Sequence, residues 1–375
     1  MTVRVSKPAS NLREKLSELD KPTGLKGNEL MRSDTSQDAR DLVAAGRRNL
    51  FINGACQVKQ RGSSFSSAGF TADHWYMYTT GGTTTIETSS PPSGFTYYLQ
   101  AASATSSCIF SQALELEKQG SAGQFKKGRI MTVSWYAKTT ATNGENMRLN
   151  ASFRSASTSG TNSVSLSGSD GINLGGGEVH ITNSWARYSR TFEINVSPHS
   201  SSKILVMQLR TPSGAIGTVS LTGFQCEFAS EPTEFEHKSY AEELESCERF
   251  YQLVGGLGSA DNNLTVNTSG FHAYPGWSWA DNSAATRIVL RQRMARTPDI
   301  TIEGTISGGV GMGNGKYGVY GGYSNAWQSP GSWTVNDIND HSFRINAVSY
   351  STFGTGKAVG FYMYVGAGFK IDAEL

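Results

Sequence analysis

The feature that most constrains this chain is a hydrophobic alternation with a period of two that recurs along most of its length. It occurs in Thr132–Ala137, Lys203–Leu209 and Val219–Phe224, and again in Arg287–Leu290 and Val359–Val365. Successive side chains of a strand point to opposite faces, so this alternation predicts strands with a buried face. The chain is therefore predicted to be mainly β.

Turn-forming runs separate these segments. Ser, Thr, Pro and Gly fill residues 89–94, 157–160 and 175–177, and the whole chain holds 42 glycines. Short strands joined by such turns are typical of antiparallel sandwiches. We therefore predict a jelly roll over residues 48–238 and a second, C-terminal β-sandwich over residues 257–375.

One linking helix is predicted between the two sandwiches, over residues 239–256. Ser239 and Glu242 have the spacing of a capping box, and Gly255-Gly256 is placed to end the helix. The apolar stripe that would face the protein consists of Tyr240, Leu244, Cys247, Tyr251 and Val254. The acidic residues predicted for the opposite, solvent-exposed face are Glu242, Glu243, Glu245 and Glu248.

Residues 1–47 are predicted to form a separate N-terminal arm, because they contain no aromatic residue and no strand pattern. Two short capped helices joined by extended linkers are predicted here, and they cannot bury a core of their own. The apolar residues predicted to dock on a partner are Leu12, Leu16, Leu19, Leu42 and Val43. A disordered tail is the alternative interpretation.

The charge and hydropathy of the chain limit its partners. The formal net charge is +2 and no basic run follows the first 48 residues, so binding to nucleic acid is not expected. No segment approaches the ~18–20 consecutive apolar residues of a membrane helix, and the N-terminus lacks the apolar core of a signal peptide. We expect a soluble protein that is made in a cytosol and does not insert into membranes.

The sequence offers little for catalysis or cofactor binding. A dinucleotide-binding loop follows a strand and begins a helix. The glycines from Gly313 to Gly318 do not have this context. Glu115 and Glu117 are predicted to lie on a solvated strand face rather than to act as paired carboxylates. The cysteines, predicted to be buried without a disulfide or a metal, are Cys56, Cys108, Cys226 and Cys247. No catalytic residue, metal or cofactor is predicted.

Aromatic residues in the C-terminal region are the remaining candidates for a binding site. They occur among glycines and polar residues, in a region too polar for an ordinary core. The predicted glycan-contacting residues are Trp277, Trp279, Tyr320, Tyr323, Trp327 and Trp333. A flat exposed ring can stack on the apolar face of a sugar while polar neighbours bind its hydroxyls. Core packing or contacts between subunits are the alternative.

Several segments, taken in order, form a recognisable series. They are RNLFINGACQVKQRG at 48–62, Asp73-His74-Trp75, Ser111–Glu115, Val133–Lys138 and Leu221–Tyr251. The series resembles that of a β-sandwich widespread in bacteriophage tail fibre and tail-associated proteins, and it covers about residues 48–254. The terminal Asp372–Leu375 is similar to the end of the sandwich that often follows, and Lys7–Leu12 resembles tail-attachment segments of marine phage fibres.

This resemblance implies a virion component with a carbohydrate-binding-module-like jelly roll, usually a homotrimer, and without catalytic residues. A tail fibre of this kind would be made in the host cytoplasm, would dock to tail or baseplate proteins through residues 1–47, and would contact a host-surface glycan. One alternative is a purely structural tail, baseplate or capsid-decoration protein. A surface-polysaccharide depolymerase is a further alternative, and it would need two carboxylates converging in a groove with exposed aromatic residues.

Overall fold

The structure is a computed structural model of the 375-residue chain. It describes residues 48–79, 82–102, 107–116, 125–154, 171–172, 177–212, 217–255, 271–304, 317–321, 326–328, 330–349, 353–364 and 367–374. The residues predicted for the N-terminal arm lie outside these ranges; they include Leu12, Leu16, Leu19, Leu42 and Val43. Among the described elements, no helix is long and apolar enough to span a membrane.

The first sandwich follows the predicted strand pattern closely. Its strands are β1 (Ser64–Phe65), β2 (Gly69–Phe70), β3 (Tyr76–Tyr78), β4 (Thr83–Glu87), β5 (Tyr98–Ala102), β6 (Ile109–Glu115), β7 (Ile130–Thr139), β8 (Glu145–Arg154), β9 (Gly171–Ile172), β10 (Glu178–Ile181), β11 (Ala186–Glu193), β12 (Ile204–Arg210) and β13 (Val219–Glu227). One antiparallel sheet has the order β1-β4-β5-β13-β7-β11; the other has the order β10-β8-β12-β6-β3-β2, with β9 beside β8. The mainly β, antiparallel prediction is confirmed.

Aromatic side chains fill the space between these two sheets. The Trp75 ring lies 4.1 Å from that of Phe224 and 5.3 Å from that of Phe51, measured between centroids. Trp135 of β7 is buried in the same core. Each fully buried large side chain stabilises the fold by about 1.5–3 kcal/mol relative to its exposed state.

The segment before β1 is held to the sandwich by Asn49. The side-chain Nδ2 of Asn49 donates to the Phe224 carbonyl over 2.9 Å, and its Oδ1 accepts from the amides of Phe51 and Cys226 at 3.0 Å each. A Cβ at Gly54 would overlap the same Phe224 carbonyl, so the position requires glycine. These contacts give a structural reason for the NLFING run that opens the first sandwich.

The linking helix is shorter than predicted. Helix α1 spans Tyr240–Glu248, and its predicted capping box is present, since the Ser239 amide donates to Glu242 Oε2 over 3.0 Å and the Glu242 amide donates to Ser239 Oγ over 3.4 Å. The predicted continuation to residue 256 is wrong. Residues Tyr251–Gly255 instead form strand β14, whose backbone pairs with residues Gly368–Asp372 near the end of the chain.

The acidic face of α1 is not fully exposed, contrary to prediction. Glu242 and Glu245 are exposed, but Glu243 is buried and its Oε2 accepts the Asn53 amide hydrogen over 2.7 Å. Glu248 is also buried, and its Oε1 lies 2.9 Å from Arg291 Nη2. The two buried carboxylates tie α1 to both sandwiches.

The second sandwich packs a three-stranded sheet on a seven-stranded one. Its remaining strands are β15 (Phe271–Ala280), β16 (Ser283–Val289), β17 (Asp299–Glu303), β18 (Tyr317–Gly321), β19 (Ala326–Gln328), β20 (Pro330–Asn336), β21 (Ser342–Ser349), β22 (Ala358–Tyr364) and β23 (Gly368–Asp372). The sheets have the orders β14-β23-β17 and β19-β18-β22-β15-β16-β21-β20. Phe343, Phe361 and Phe369 form much of the core between them.

A largely buried ionic cluster, with Asp372 at its partly exposed edge, joins the two sandwiches. Arg61 Nη1 lies 2.9 Å from Asp372 Oδ2 and Arg61 Nη2 lies 3.1 Å from Glu374 Oε1, while the guanidinium group stacks over the Tyr251 ring at 3.7 Å. His74 Nδ1 lies 2.7 Å from Glu374 Oε2. Burial acts to raise the pKa of Glu374, but His74 and Arg61 outweigh it and hold that pKa below its usual range.

Candidate functional site

The candidate site lies on β15, the central strand of the seven-stranded sheet. Trp277 and Trp279 are 50% and 55% exposed, whereas Ser278 between them is buried. The pairing of β15 with β16 is irregular between Ser278 and Ala280, which places Trp279 at a bulge. Both indole rings therefore project from the solvent side of this sheet, which we call the outer face.

Hydrogen bonds hold the backbone of β15 beneath the two tryptophans. The Ser278 amide donates to the Lys357 carbonyl over 2.9 Å, and Ser278 Oγ accepts from the Lys357 amide over 2.8 Å. On the other side of the strand, Thr286 Oγ1 donates to the Pro275 carbonyl over 2.6 Å. Sites on paired strands position side chains more precisely than sites on loops, so the rings stand on a rigid base.

Small residues and tyrosines lie beside Trp277 on the outer face. Ala358 of β22 is directly opposite Trp277. Further along β22, a Cβ at Gly360 would come within 2.7 Å of the Tyr362 ring, so the ring occupies the space that glycine leaves free. Tyr320 of β18 is opposite Gly360 and is half-buried. On this side of Trp277 the side chains therefore project little from the sheet, and the surface is largely aromatic.

The other predicted glycan-contacting residues have different outcomes. Trp333 is buried in the second core, with its ring 4.7 Å from that of Tyr317 and 5.2 Å from that of Phe361, so the prediction that it contacts a ligand is wrong. It points inward because alternate residues of β20 face the core. Trp327 lies opposite Tyr320 in the pairing of β19 with β18. Its side chain, and all of Tyr323, lie outside the described residues.

Two arginines that sequence reasoning did not select also lie on the outer face. Arg287 of β16 is two residues from Ala285, which is directly opposite Trp277. Arg344 of β21 is directly opposite Arg287. Residues directly opposite each other in an antiparallel pair share a face, so both arginines are on the side of Trp277. The alternation in β16 was a signal for Arg287, but only the pairing of β15 with β16 brings it beside the tryptophan.

The cysteines were predicted to be buried and Glu115 to be solvated, and the structure shows how far each side chain is buried. All four cysteines are buried free thiols, and burial raises the pKa of each, that of Cys108 to about 12, so the thiols stay protonated at neutral pH. Glu115 is buried, and its Oε2 accepts from Arg249 Nη2 over 2.6 Å, so the prediction of a solvated side chain is wrong for Glu115. Glu117 lies outside the described residues.

The described residues contain no group of three or more His, Cys, Asp and Glu side chains that could hold a metal ion. Of the glycine motif between Gly313 and Gly318, only Tyr317 and Gly318 are within the described part of the chain. Both belong to β18, which is a strand rather than the start of a helix.

Comparisons with solved structures give distant similarities. The CBM22-1 xylan-binding domain of Paenibacillus barcinonensis Xyn10C aligns at 14% identity over 50% of this chain and 100% of that domain, with a TM-score of 0.31. The enzymatically active domain of bacteriophage CBA120 tailspike protein 4 aligns at 14% identity over 48% of this chain and 21% of that chain, with a TM-score of 0.31. TmCBM61, in complex with β-1,4-galactotriose, aligns at 13% identity over 49% of this chain and 100% of that chain, with a TM-score of 0.29.

No family model and no curated protein matches this sequence. At TM-scores near 0.3, the structural similarities do not assign a ligand or an activity to the chain.

Proposed function

We propose that the outer face of the seven-stranded sheet binds a glycan, with Trp277 and Trp279 as the stacking residues. The observation that carries this proposal is the pair of half-exposed indole rings on a rigid central strand. Large exposed apolar side chains that lie side by side mark binding surfaces, and flat rings suit the apolar faces of sugars.

Polar groups at the end of β15 complete the proposed site. Asp281 and Asn282 are exposed in the turn between β15 and β16. Thr355 Oγ1 donates to Asp281 Oδ1 over 3.1 Å, which links this turn to the loop before β22. Carboxylate and amide groups beside an aromatic ring can bind sugar hydroxyls, which gives the stacked sugar a preferred orientation.

The wider role that we infer is host adsorption by a phage tail fibre. The resemblance of residues 48–254 to sandwiches of tail fibre proteins supports this role. The protein would then be a virion component that binds its glycan without cleaving it, that docks on tail or baseplate proteins through residues 1–47, and that assembles as a homotrimer. Several copies would raise the effective concentration of weak single sites and so give stable adsorption. The alternative is a structural tail protein, which would bind no glycan on the outer face.

The glycan proposal is tested by replacing each tryptophan. A stacked ring contributes about 1 kcal/mol beyond its burial, so Trp277→Ala and Trp279→Ala should each weaken binding about fivefold on an array of bacterial surface polysaccharides. Tyr78→Ala is the matched control, because Tyr78 is an exposed aromatic residue of the first sandwich. Thermal melting should be nearly unchanged in the two tryptophan variants. Equal glycan binding by wild type and both tryptophan variants would contradict the proposal.

The assembly proposal is tested on the whole protein. Mass measurement in solution should give three times the 40.4 kDa chain mass. A variant that lacks residues 1–47 should still have three times the mass of its own shortened chain but should fail to enter virus particles. A stable monomer would refute the trimer, and normal incorporation of the shortened chain would refute docking through the arm.

A further inference from the structure

We propose that the glycan bound by the outer face is acidic, and that Arg287 and Arg344 bind a carboxylate or phosphate group of the glycan beside the ring that stacks on Trp277. This inference rests on the proposed function and adds the chemical class of the ligand. It is carried by the charges that strand pairing brings next to the tryptophans.

Strand register places a guanidinium group within reach of a ligand on Trp277. Arg287 is the diagonal neighbour of Trp277, two residues beyond the directly opposite Ala285. Diagonal neighbours on an antiparallel pair are about 7–8 Å apart, which long side chains can bridge. Arg344 lies one strand further, and two strand spacings of about 4.8 Å put β21 about 10 Å from β15.

The charge on this face is incompletely neutralised. Arg287 is exposed, and its Nη1 donates to Ser342 Oγ over 2.8 Å; no carboxylate of the described residues forms an ion pair with Arg287. Arg344 Nη1 lies 3.2 Å from Asp337 Oδ2, at the end of β20. The side chains that β15, β16, β20, β21 and β22 direct to the outer face, within the described residues, include no Asp or Glu. Asp337 therefore neutralises Arg344, whereas Arg287 remains a positive charge without a carboxylate partner beside Trp277.

The direct pairing of two arginines favours an anionic occupant. Like charges directly opposite each other in a sheet destabilise the pairing. An anion between the two guanidinium groups would remove this repulsion and could accept paired N–H donors, since the guanidinium fork matches carboxylate and phosphate geometry. A neutral sugar could stack on Trp277 but would leave the charge of Arg287 without a counter-charge.

The test compares each polysaccharide that the wild-type protein binds with a form whose charge has been removed chemically. Carboxyl-reduced polysaccharides report on carboxylate groups, and dephosphorylated ones report on phosphate groups. We expect removal of the responsible charge to weaken wild-type binding about tenfold, because hydrogen bonds to charged groups are the stronger ones. Arg287→Gln should bind the native and the neutral form with equal affinity. That affinity should be about as low as the affinity of wild type for the neutral form.

The control for net charge is Arg293→Gln, because Arg293 is an exposed arginine paired with Asp340 rather than a residue of the outer face. This variant should retain the preference for the acidic form. Equal binding of the native and neutral forms by wild type, with binding of both forms weakened in Trp277→Ala, would overturn the acidic-ligand inference and leave the glycan-binding proposal intact. Binding that is insensitive to Trp277→Ala and Trp279→Ala would instead overturn the proposed function, and with it this inference.

Discussion

At the scale of single residues, a buried polar side chain attaches the segment before β1 to the rest of the first sandwich. The side chain of Asn49 donates one hydrogen bond and accepts two. Two of these bonds are to main-chain groups of β13, and the third is to the nearby Phe51 amide. Buried main-chain groups need partners, and a lost partner costs about 1–3 kcal/mol per group. An apolar residue of similar size could fill the space but could not satisfy the Phe224 carbonyl or the Cys226 amide.

Asn49→Ala should therefore lower the free energy of unfolding by about 3 kcal/mol, since it leaves several buried main-chain groups unpaired at once. The measurement is urea unfolding of the full chain, followed by tryptophan fluorescence. Asn183→Ala is the matched control: Asn183 is exposed, and its replacement should change stability by less than about 0.5 kcal/mol. A loss in Asn49→Ala no larger than that of the control would show that the three hydrogen bonds do not stabilise the native state.

At the scale of elements, local sequence predicted which segments form strands but did not predict where the helix ends. The alternation in β7, β12 and β13 predicted those strands correctly, although nearly every residue of the three strands is buried and not only those of one face. The capping box of α1 is also a local signal, since its two partners are three residues apart. The segment Tyr251–Gly255 has an apolar pattern that fits both a helix and a strand. Its partner β23 lies more than a hundred residues away, so local propensity could not decide between them.

At the scale of the whole molecule, the two sandwiches are joined by charged groups from distant parts of the chain. Glu374 accepts one hydrogen bond from Arg61 and contacts His74, and all three side chains are largely removed from solvent. The pKa of Glu374 is lowered in the folded protein, so its ionised form is stabilised by folding. The contribution is therefore fully present above its ordinary pKa of 4.5 and is lost as the pH falls through the lower folded value.

Wild-type protein should accordingly lose stability as the pH falls below about 4.5, and Glu374→Gln should lose less over the same range. At neutral pH the variant should be less stable by about 3 kcal/mol, because Arg61 and His74 lose their buried carboxylate partner. Denaturant unfolding over a range of acidic to neutral pH measures both effects. Asp340→Asn is the control, since Asp340 pairs with Arg293 at the surface and should affect neutral-pH stability little. The same acid dependence in wild type and Glu374→Gln would rule out this role for Glu374.

The sequence by itself determined the mainly β class and the capping of α1, because both are encoded by residues within a few positions of one another. Tertiary structure decided that Trp333 is buried while Trp277 is exposed, since both residues sit in similar polar, glycine-rich surroundings and only the packing of the two sheets assigns a face to each. It also decided that Arg287 and Arg344 lie beside Trp277. Strand pairing joins residues far apart in the chain, and the local sequence of each strand carries no information about which strand becomes its neighbour.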